Sequence, residues 1–221
     1  MKLAPGAELL DEDRGTPDEI RRSIEDLWWI NRHWGGQASW RLLLRHWRGG
    51  NTRQGGPILL DVGTGDGRMT AWLAEALGAR AAIGLDRRTT HLGVSGARVS
   101  ADALRLPFAD ASVEVVSCNL FLHHFHGVAA RALLREMGRV ARRVVLVSDL
   151  RRAWPPYLLM LAVDWRFGRL TRHDGRRSVR QAYRADELRE LLQQAGASGA
   201  EAFELPGYRL GVVWRRDGAG L

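Results

Sequence analysis

The chain reads as an α/β domain, a mostly parallel sheet with a C-terminal antiparallel hairpin and an N-terminal helical lid. Three observations carry this reading. From residue 57 onward, apolar strand-like runs alternate with segments of helical periodicity. The run Ile58–Val62 leads into Gly63-Thr64-Gly65-Asp66-Gly67 and then into a helix, a strand–turn–helix unit typical of parallel sheets. Near the end, Pro206-Gly207 separates two strand-like runs and marks a tight turn.

The lid is expected over residues 1–50 and the sheet domain over residues 51–221. Thr16-Pro17-Asp18-Glu19 is a helix start with a capping threonine, proline at the first helical position and Glu19 closing a capping box. Ile20, Ile24, Leu27 and Trp28 form one apolar stripe, and Gly35-Gly36 ends the helix. A second helix carries Trp40, Leu43, Leu44 and Trp47 and stops at Gly49-Gly50; GGNTRQGG at 49–56 reads as a hinge. Strands follow at Ile58–Val62, Ala81–Leu85, Arg98–Ser100, Val113–Asn119, Val144–Ser148, Ala200–Leu205 and Leu210–Trp214. Helices fit Met69–Leu77, Val128–Arg139, Pro156–Phe167 and Asp186–Ala195. The segment between the second and third strands is too short for a full crossover helix.

With 221 residues, 45% of them hydrophobic and 26% charged, the chain is neither disordered nor a disulfide scaffold. No apolar run approaches the roughly 20 residues of a membrane span, and no signal peptide is evident. Cys118 is the only cysteine, which makes a reducing cytoplasm the expected compartment. The net charge of +8 rests almost wholly on arginine, and Arg166–Arg184 is the densest stretch. Such a stretch suits a solvated face, an acidic or membrane partner, or nucleic acid.

The loop after the first strand has the spacing G-x-G-x-G, with Arg68 where a dinucleotide fingerprint needs its third glycine, so NAD is disfavoured. Asp61 at the strand end suits a cationic amine better than a phosphate. Asp86 lies about 20 residues beyond the loop, where a carboxylate reaches ribose hydroxyls, and Asp102 follows the next strand. Each has an ordinary explanation alone, as a cap or a loop residue. In order on successive strand ends they describe a ligand with a ribose, an adenine-sized ring and an amino-acid-like cation.

DVGTGDG, then LD at 85–86, then SADALRLPFADASVEVVSCNLFLHHF resembles the class I S-adenosylmethionine-dependent methyltransferases. The type 11 domains, which include ubiquinone/menaquinone-biosynthesis enzymes, are the most similar. The resemblance is strong over residues 57–150 and implies the class I methyltransferase sheet, Rossmann-like in its winding. It implies that Asp61, Gly63, Thr64, Gly65 and Gly67 cradle the methionine portion and that Asp86 with Arg87 holds the ribose. It places Asp102 and Ala103 at the adenine, and Asn119 and Leu120 beside the methionine. S-adenosylhomocysteine (SAH) would be the product.

A sulfonium is already an activated electrophile, so the protein contributes orientation and, at most, a base. The fourth-strand end, Asn119-Leu120-Phe121-Leu122, lacks the proline-bearing motif of amino-methylating enzymes. Trp154-Pro155-Pro156-Tyr157 follows the fifth strand, where its prolines suit a helix start. His124 and His123 lie just beyond the fourth strand and are the candidate bases. His173, in TRHDG, is a candidate acceptor contact, although Asp174-Gly175 favours a surface turn there. Five of nine tryptophans lie in the N-terminal helices. Trp28 is expected to cover the acceptor, Arg32 or Asn31 to reach the cofactor carboxylate, and Tyr157 to stand in the opposite wall; Trp40 and Trp47 fit core packing. INRHWGG and TRHDGRRSVRQAY resemble a bacterial subgroup found beside type III polyketide synthases, which implies a phenolic or quinone-like acceptor. No metal is expected from the histidine spacing. The alternatives are an RNA methyltransferase and a non-catalytic cofactor-binding subunit.

Overall fold

The computed structural model describes residues 1–12, 14–47, 55–88 and 96–216. Most of the expected hinge (49–54) and most of the shortened segment after the second strand (89–95) lie outside the described residues. Seven strands form one sheet: β1 (Ile58–Val62), β2 (Ala81–Asp86), β3 (Ala97–Ser100), β4 (Val113–Asn119), β5 (Ala141–Leu150), β6 (Ala200–Leu205) and β7 (Arg209–Arg215). Their order is β3-β2-β1-β4-β5-β7-β6. The first five are parallel, and β7 runs antiparallel to both β5 and β6. The strand order reverses direction between β1 and β4, and a crevice opens beyond the carboxyl ends of the strands at such a point.

Both faces of the sheet are covered. Helices α4 (Gly127–Val140) and α7 (Ala185–Ala195) cover one face, where Leu60, Val62, Val116 and Cys118 pack with Leu133, Leu134, Met137 and Leu188. Helices α2 (Gly36–Trp47) and α3 (Arg68–Leu77) cover the other, where Leu59, Val115, Leu146 and Val213 meet Trp40, Leu43, Met69 and Leu73. Strand alternation therefore directs Asp61 toward α3, the side of Leu59.

Helix α1 (Pro17–His33) starts with the capping box its sequence announces. The Thr16 amide donates to Glu19 Oε2 over 2.9 Å, and the Glu19 amide to Thr16 Oγ1 over 3.3 Å. The expectation of one cover spanning residues 1–50 is corrected for α2. Trp40 and Leu43 have no solvent exposure and belong to the core of the sheet. A helix inserted this way cannot lift without opening that core.

Residues 169–181 correct a second expectation, for they form helix α6 (Arg169–Gln181) instead of a surface turn. The arginines at 169, 172, 176 and 180 recur at helical spacing, while Leu170, Asp174, Ser178, Val179 and Gln181 are buried. Gly175 lets Met160 approach, since a Cβ there would lie 2.4 Å from Met160 Cε. The Asp174 carboxylate accepts the amides of Leu9 and Leu10 at 2.9 and 3.0 Å and so anchors the N-terminal segment. The helix expected over Pro156–Phe167 divides into α5 (Trp154–Ala162) and a 3-10 turn, Asp164–Arg166. Among the described residues, no helix is long and apolar enough to cross a membrane.

Candidate active site

A cavity of about 520 Å³ lies above the reversal point, within the size range of small-molecule sites. Its floor is the loop after β1. Gly63, Gly65 and Gly67 have φ of +75°, +54° and +81°, the left-handed region where glycine carries no penalty. Gly63 is also a close approach, as a Cβ there would sit 2.3 Å from the Phe121 ring. The amides of Gly63 and Thr64 donate to Leu85 O at 2.8 and 3.0 Å, tying the loop to β2. Asp86 accepts the Gly65 amide at 3.1 Å and the Arg88 amide at 3.0 Å, so its carboxylate is fixed at the rim.

Asp61 is 2% exposed. Its two oxygens accept from Ser117 Oγ (2.6 Å) and Thr70 Oγ1 (2.5 Å). Burial pushes its pKa up to about 6 against those hydroxyl bonds, and the nearby Asp86 charge adds to the rise. Among the described residues no cation pairs with this carboxylate. A buried acid at a cavity wall, lacking a counter-charge, fits a ligand that carries an ammonium group.

A second cluster involves the N-terminal segment. His123 Nδ1 lies 2.6 Å from Asp149 Oδ1, and the His123 amide donates to Asp149 Oδ2 at 3.0 Å. Its Nε2 lies 3.6 Å from Glu8 Oε1, which also accepts from Ser178 Oγ (2.6 Å) and Gln181 Nε2 (2.7 Å). Burial disfavours the imidazolium, but the Asp149 and Glu8 carboxylates outweigh it and raise the pKa to about 10. With carboxylates facing both ring nitrogens, the imidazolium form of His123 is favoured, which suits a charged anchor better than a proton acceptor. Glu8 and Asp149 are correspondingly held below the usual carboxylate range, although burial works to raise both.

His124 differs. Its Nδ1 lies 2.8 Å from Asp11 Oδ2, and its side chain is partly exposed at the cavity wall. A carboxylate facing Nδ1 orients the ring and turns Nε2 away from Asp11. Glu8, His123 and His124 place ligand-type atoms within 4.8 Å of one another, a meeting that the histidine spacing did not reveal.

Of the residues expected from sequence, Asp61, Gly63, Thr64, Gly65, Asp86, Asn119, Leu120, His123, His124 and Trp28 line this cavity. Seven others stand outside its lining. Gly67 caps the start of α3. Arg87 is exposed. Asp102 is exposed and accepts the Leu104 amide at 2.9 Å, while Ala103 is buried in the core. Arg32 faces solvent, because one helical residue turns the side chain by about 100° from its neighbour Asn31, which faces inward. His173 is held by its neighbour Asp174 at 2.8 Å. Tyr157 packs edge-on to Trp154. Their neighbours Pro156, Leu159 and Met160 supply the wall that Tyr157 was expected to form.

Glu8, Asp11, Asp149 and Arg209 were missed. The first two are brought in by a chain end, which no local pattern announces. The last two left a weak signal, since Asp149 closely follows the apolar run Val144–Val147 and Arg209 directly precedes the run Leu210–Trp214.

Comparison with known proteins agrees with this geometry. Residues 60–146 match the family described as "Methyltransferase domain". A demethylmenaquinone methyltransferase of Roseiflexus sp. (strain RS-1) is 36% identical over 118 residues, covering 48% of this chain and 47% of that protein. The chain thus spans about half the length of the curated relatives it matches. The structure of the plantazolicin methyltransferase BpumL in complex with SAH aligns over 94% of each chain, with TM-score 0.67 and 13% identity. A SAM-dependent methyltransferase from Aquifex aeolicus aligns over 79% of this chain and 88% of its own, with TM-score 0.53 and 17% identity. At such identities the structural matches speak for the fold, and the sequence matches speak for the domain. Residues 60–146 thus resemble a methyltransferase domain set in a fold shared with S-adenosylmethionine-dependent methyltransferases, and the segments before and after them close one cavity around the glycine loop.

Proposed function

We propose that this protein transfers a methyl group from S-adenosylmethionine to a small hydrophobic acceptor of phenolic or quinone-like kind, at oxygen or at an acidic carbon. The observation that carries the reading is the cavity itself, whose lining combines the glycine loop and Asp61 with the apolar side chains of Trp28, Leu27, Leu159 and Met160. The relatives named for demethylmenaquinone, at modest identity, support a quinone-like acceptor.

When bound, the cofactor supplies an electrophilic methyl group for in-line displacement. Asp61 would pair with its ammonium, Asp86 would accept from its ribose hydroxyls, and the backbone around Gly63 and Gly65 would let it approach closely. His124 Nε2 would take the proton from the acceptor hydroxyl, and Asp11 would hold the resulting imidazolium. A phenol with pKa near 10 is mostly protonated at neutral pH, so such a base contributes on the order of 10²–10⁴ in rate. The division at residue 50 gives way here to a smaller cover, the N-terminal segment with α1, which would close over the acceptor and exclude water.

The test is incubation with labelled S-adenosylmethionine and a panel of phenols and quinols, following SAH and methylated product. Labelling of structured RNA alone would replace the small-molecule reading. Cofactor binding with no turnover on any acceptor class would favour a non-catalytic subunit.

A further inference from the structure

Arg209 opens β7 and pairs with Leu150 across the β5–β7 ladder. It is 1% exposed, yet its side chain lines the cavity. Its Nη2 donates to Asn31 Oδ1 at 3.3 Å, while Nε and Nη1, both buried, have no hydrogen-bond partner among the described residues. The nearest candidate counter-charge is committed elsewhere, because Asp149 is occupied by His123 and by the Leu150 amide. Burial lowers the Arg209 pKa to about 10 against the pull of Asp149, so the group remains charged at neutral pH.

A buried guanidinium with two idle donors is strongly unfavourable unless something completes it. Its planar fork matches the two oxygens of a carboxylate, and it suits a single phenolate oxygen as well. Asn31 Oδ1 is also 3.4 Å from Asn119 Nδ2, which places the guanidinium close to the carboxyl end of β4. The cavity lining thus contains, among the described residues, a carboxylate without a cationic partner, Asp61, and a guanidinium without an ion-pair partner, Arg209.

We propose that Arg209 is the oxyanion-binding contact of this cavity, its guanidinium receiving a carboxylate or phenolate oxygen of a bound ligand. The oxyanion has two possible sources, the α-carboxylate of the cofactor or an ionised oxygen of the acceptor. The proposal rests on the reading of the cavity as a methyl-transfer site, and binding measurements separate the two. Isothermal titration of the unaltered protein with SAH tests the cofactor reading by itself.

The same titration is then run on Arg209→Met, which keeps the volume without the charge, and on Arg209→Lys, which keeps the charge without the fork. SAH, 5′-methylthioadenosine (which lacks the carboxylate), benzoate and neutral benzamide serve as probes. A tenfold or greater loss of SAH affinity with 5′-methylthioadenosine unchanged supports the proposal and assigns the cofactor as source. The same loss for benzoate, with SAH and benzamide unchanged, supports it and assigns the acceptor. If Arg209→Met does not fold, the proposal requires Arg209→Lys to weaken one of the two carboxylates at least threefold. Unchanged affinity for both carboxylates in the folded variants overturns it and leaves Arg209 a structural residue.

Discussion

Trp40 of α2 donates its indole N–H to the Asn119 side-chain oxygen, over 2.9 Å, at the carboxyl end of the central strand β4. A residue in the second N-terminal helix thereby orients a residue in the wall of the cavity. Replacing Trp40 by phenylalanine retains most of the packing but leaves that oxygen unpaired. We expect a loss of about 1–3 kcal/mol in chemical denaturation, together with weaker cofactor binding. Stability falling while SAH affinity stays constant would show that Asn119 does not depend on Trp40 for its role.

Asp61 should make cofactor affinity depend on pH. Its folded pKa of about 6 lies above the ordinary carboxylate value, so in the free protein the neutral form persists to a higher pH than usual. Any stability from that neutral form is present at low pH and is lost as pH rises through about 6. An ammonium ligand needs the charged form. Affinity for SAH should therefore rise between pH 5 and 7, and Asp61→Asn should bind weakly with a flat profile. Titration calorimetry across that range decides the matter.

Asp86→Ala removes the carboxylate fixed by the Gly65 and Arg88 amides. Charge-assisted hydrogen bonds to ribose are worth about 1.5–3 kcal/mol each. SAH should bind at least tenfold more weakly to a protein with an unchanged circular dichroism spectrum. Equal affinity in the folded variant would remove Asp86 from the site.

The two histidines should separate by assay. His124→Gln is expected to lower turnover on a phenolic acceptor by 10²–10⁴ while cofactor affinity is kept, and Asp11→Asn to lower it less. His123→Gln should instead loosen the N-terminal segment, detected as faster hydrogen exchange in residues 4–12. The His123 pKa is raised, so its contribution to stability is complete below its ordinary value of 6.5 and disappears as pH rises through about 10. Between pH 8 and 10.5 the parent protein should lose stability that the glutamine variant never had.

Cofactor plus acceptor should slow hydrogen exchange in residues 17–33 and leave residues 36–47, already packed on the sheet, unchanged. Equal protection of α1 with and without ligands would make it a permanent wall instead of a cover.

The sheet and its glycine loop were legible because their signals are local. The apolar run Ile58–Val62, the turn at Gly63–Gly67 and the carboxylates at strand ends all lie within a few residues of what they specify. Helix α6 was hidden by Asp174-Gly175, a turn signal that tertiary packing overrides: Asp174 finds amide donors in the N-terminal segment, and Gly175 accommodates Met160. The roles of Glu8 and Asp11 depend on contacts spanning more than a hundred residues, and no spacing rule reaches that far.

The turn between α1 and α2 meets the β6–β7 turn at two glycines, Gly35 and Gly207, both with positive φ and both at the cavity rim. A Cβ on Gly35 would stand 2.9 Å from the Gly207 Cα, and one on Gly207 would stand 2.7 Å from the Trp34 carbonyl oxygen. The aperture of the site is therefore gauged by two missing side chains. One methyl group added at either position must push two backbones apart, so this pair is the natural starting point for refitting the protein to bulkier acceptors.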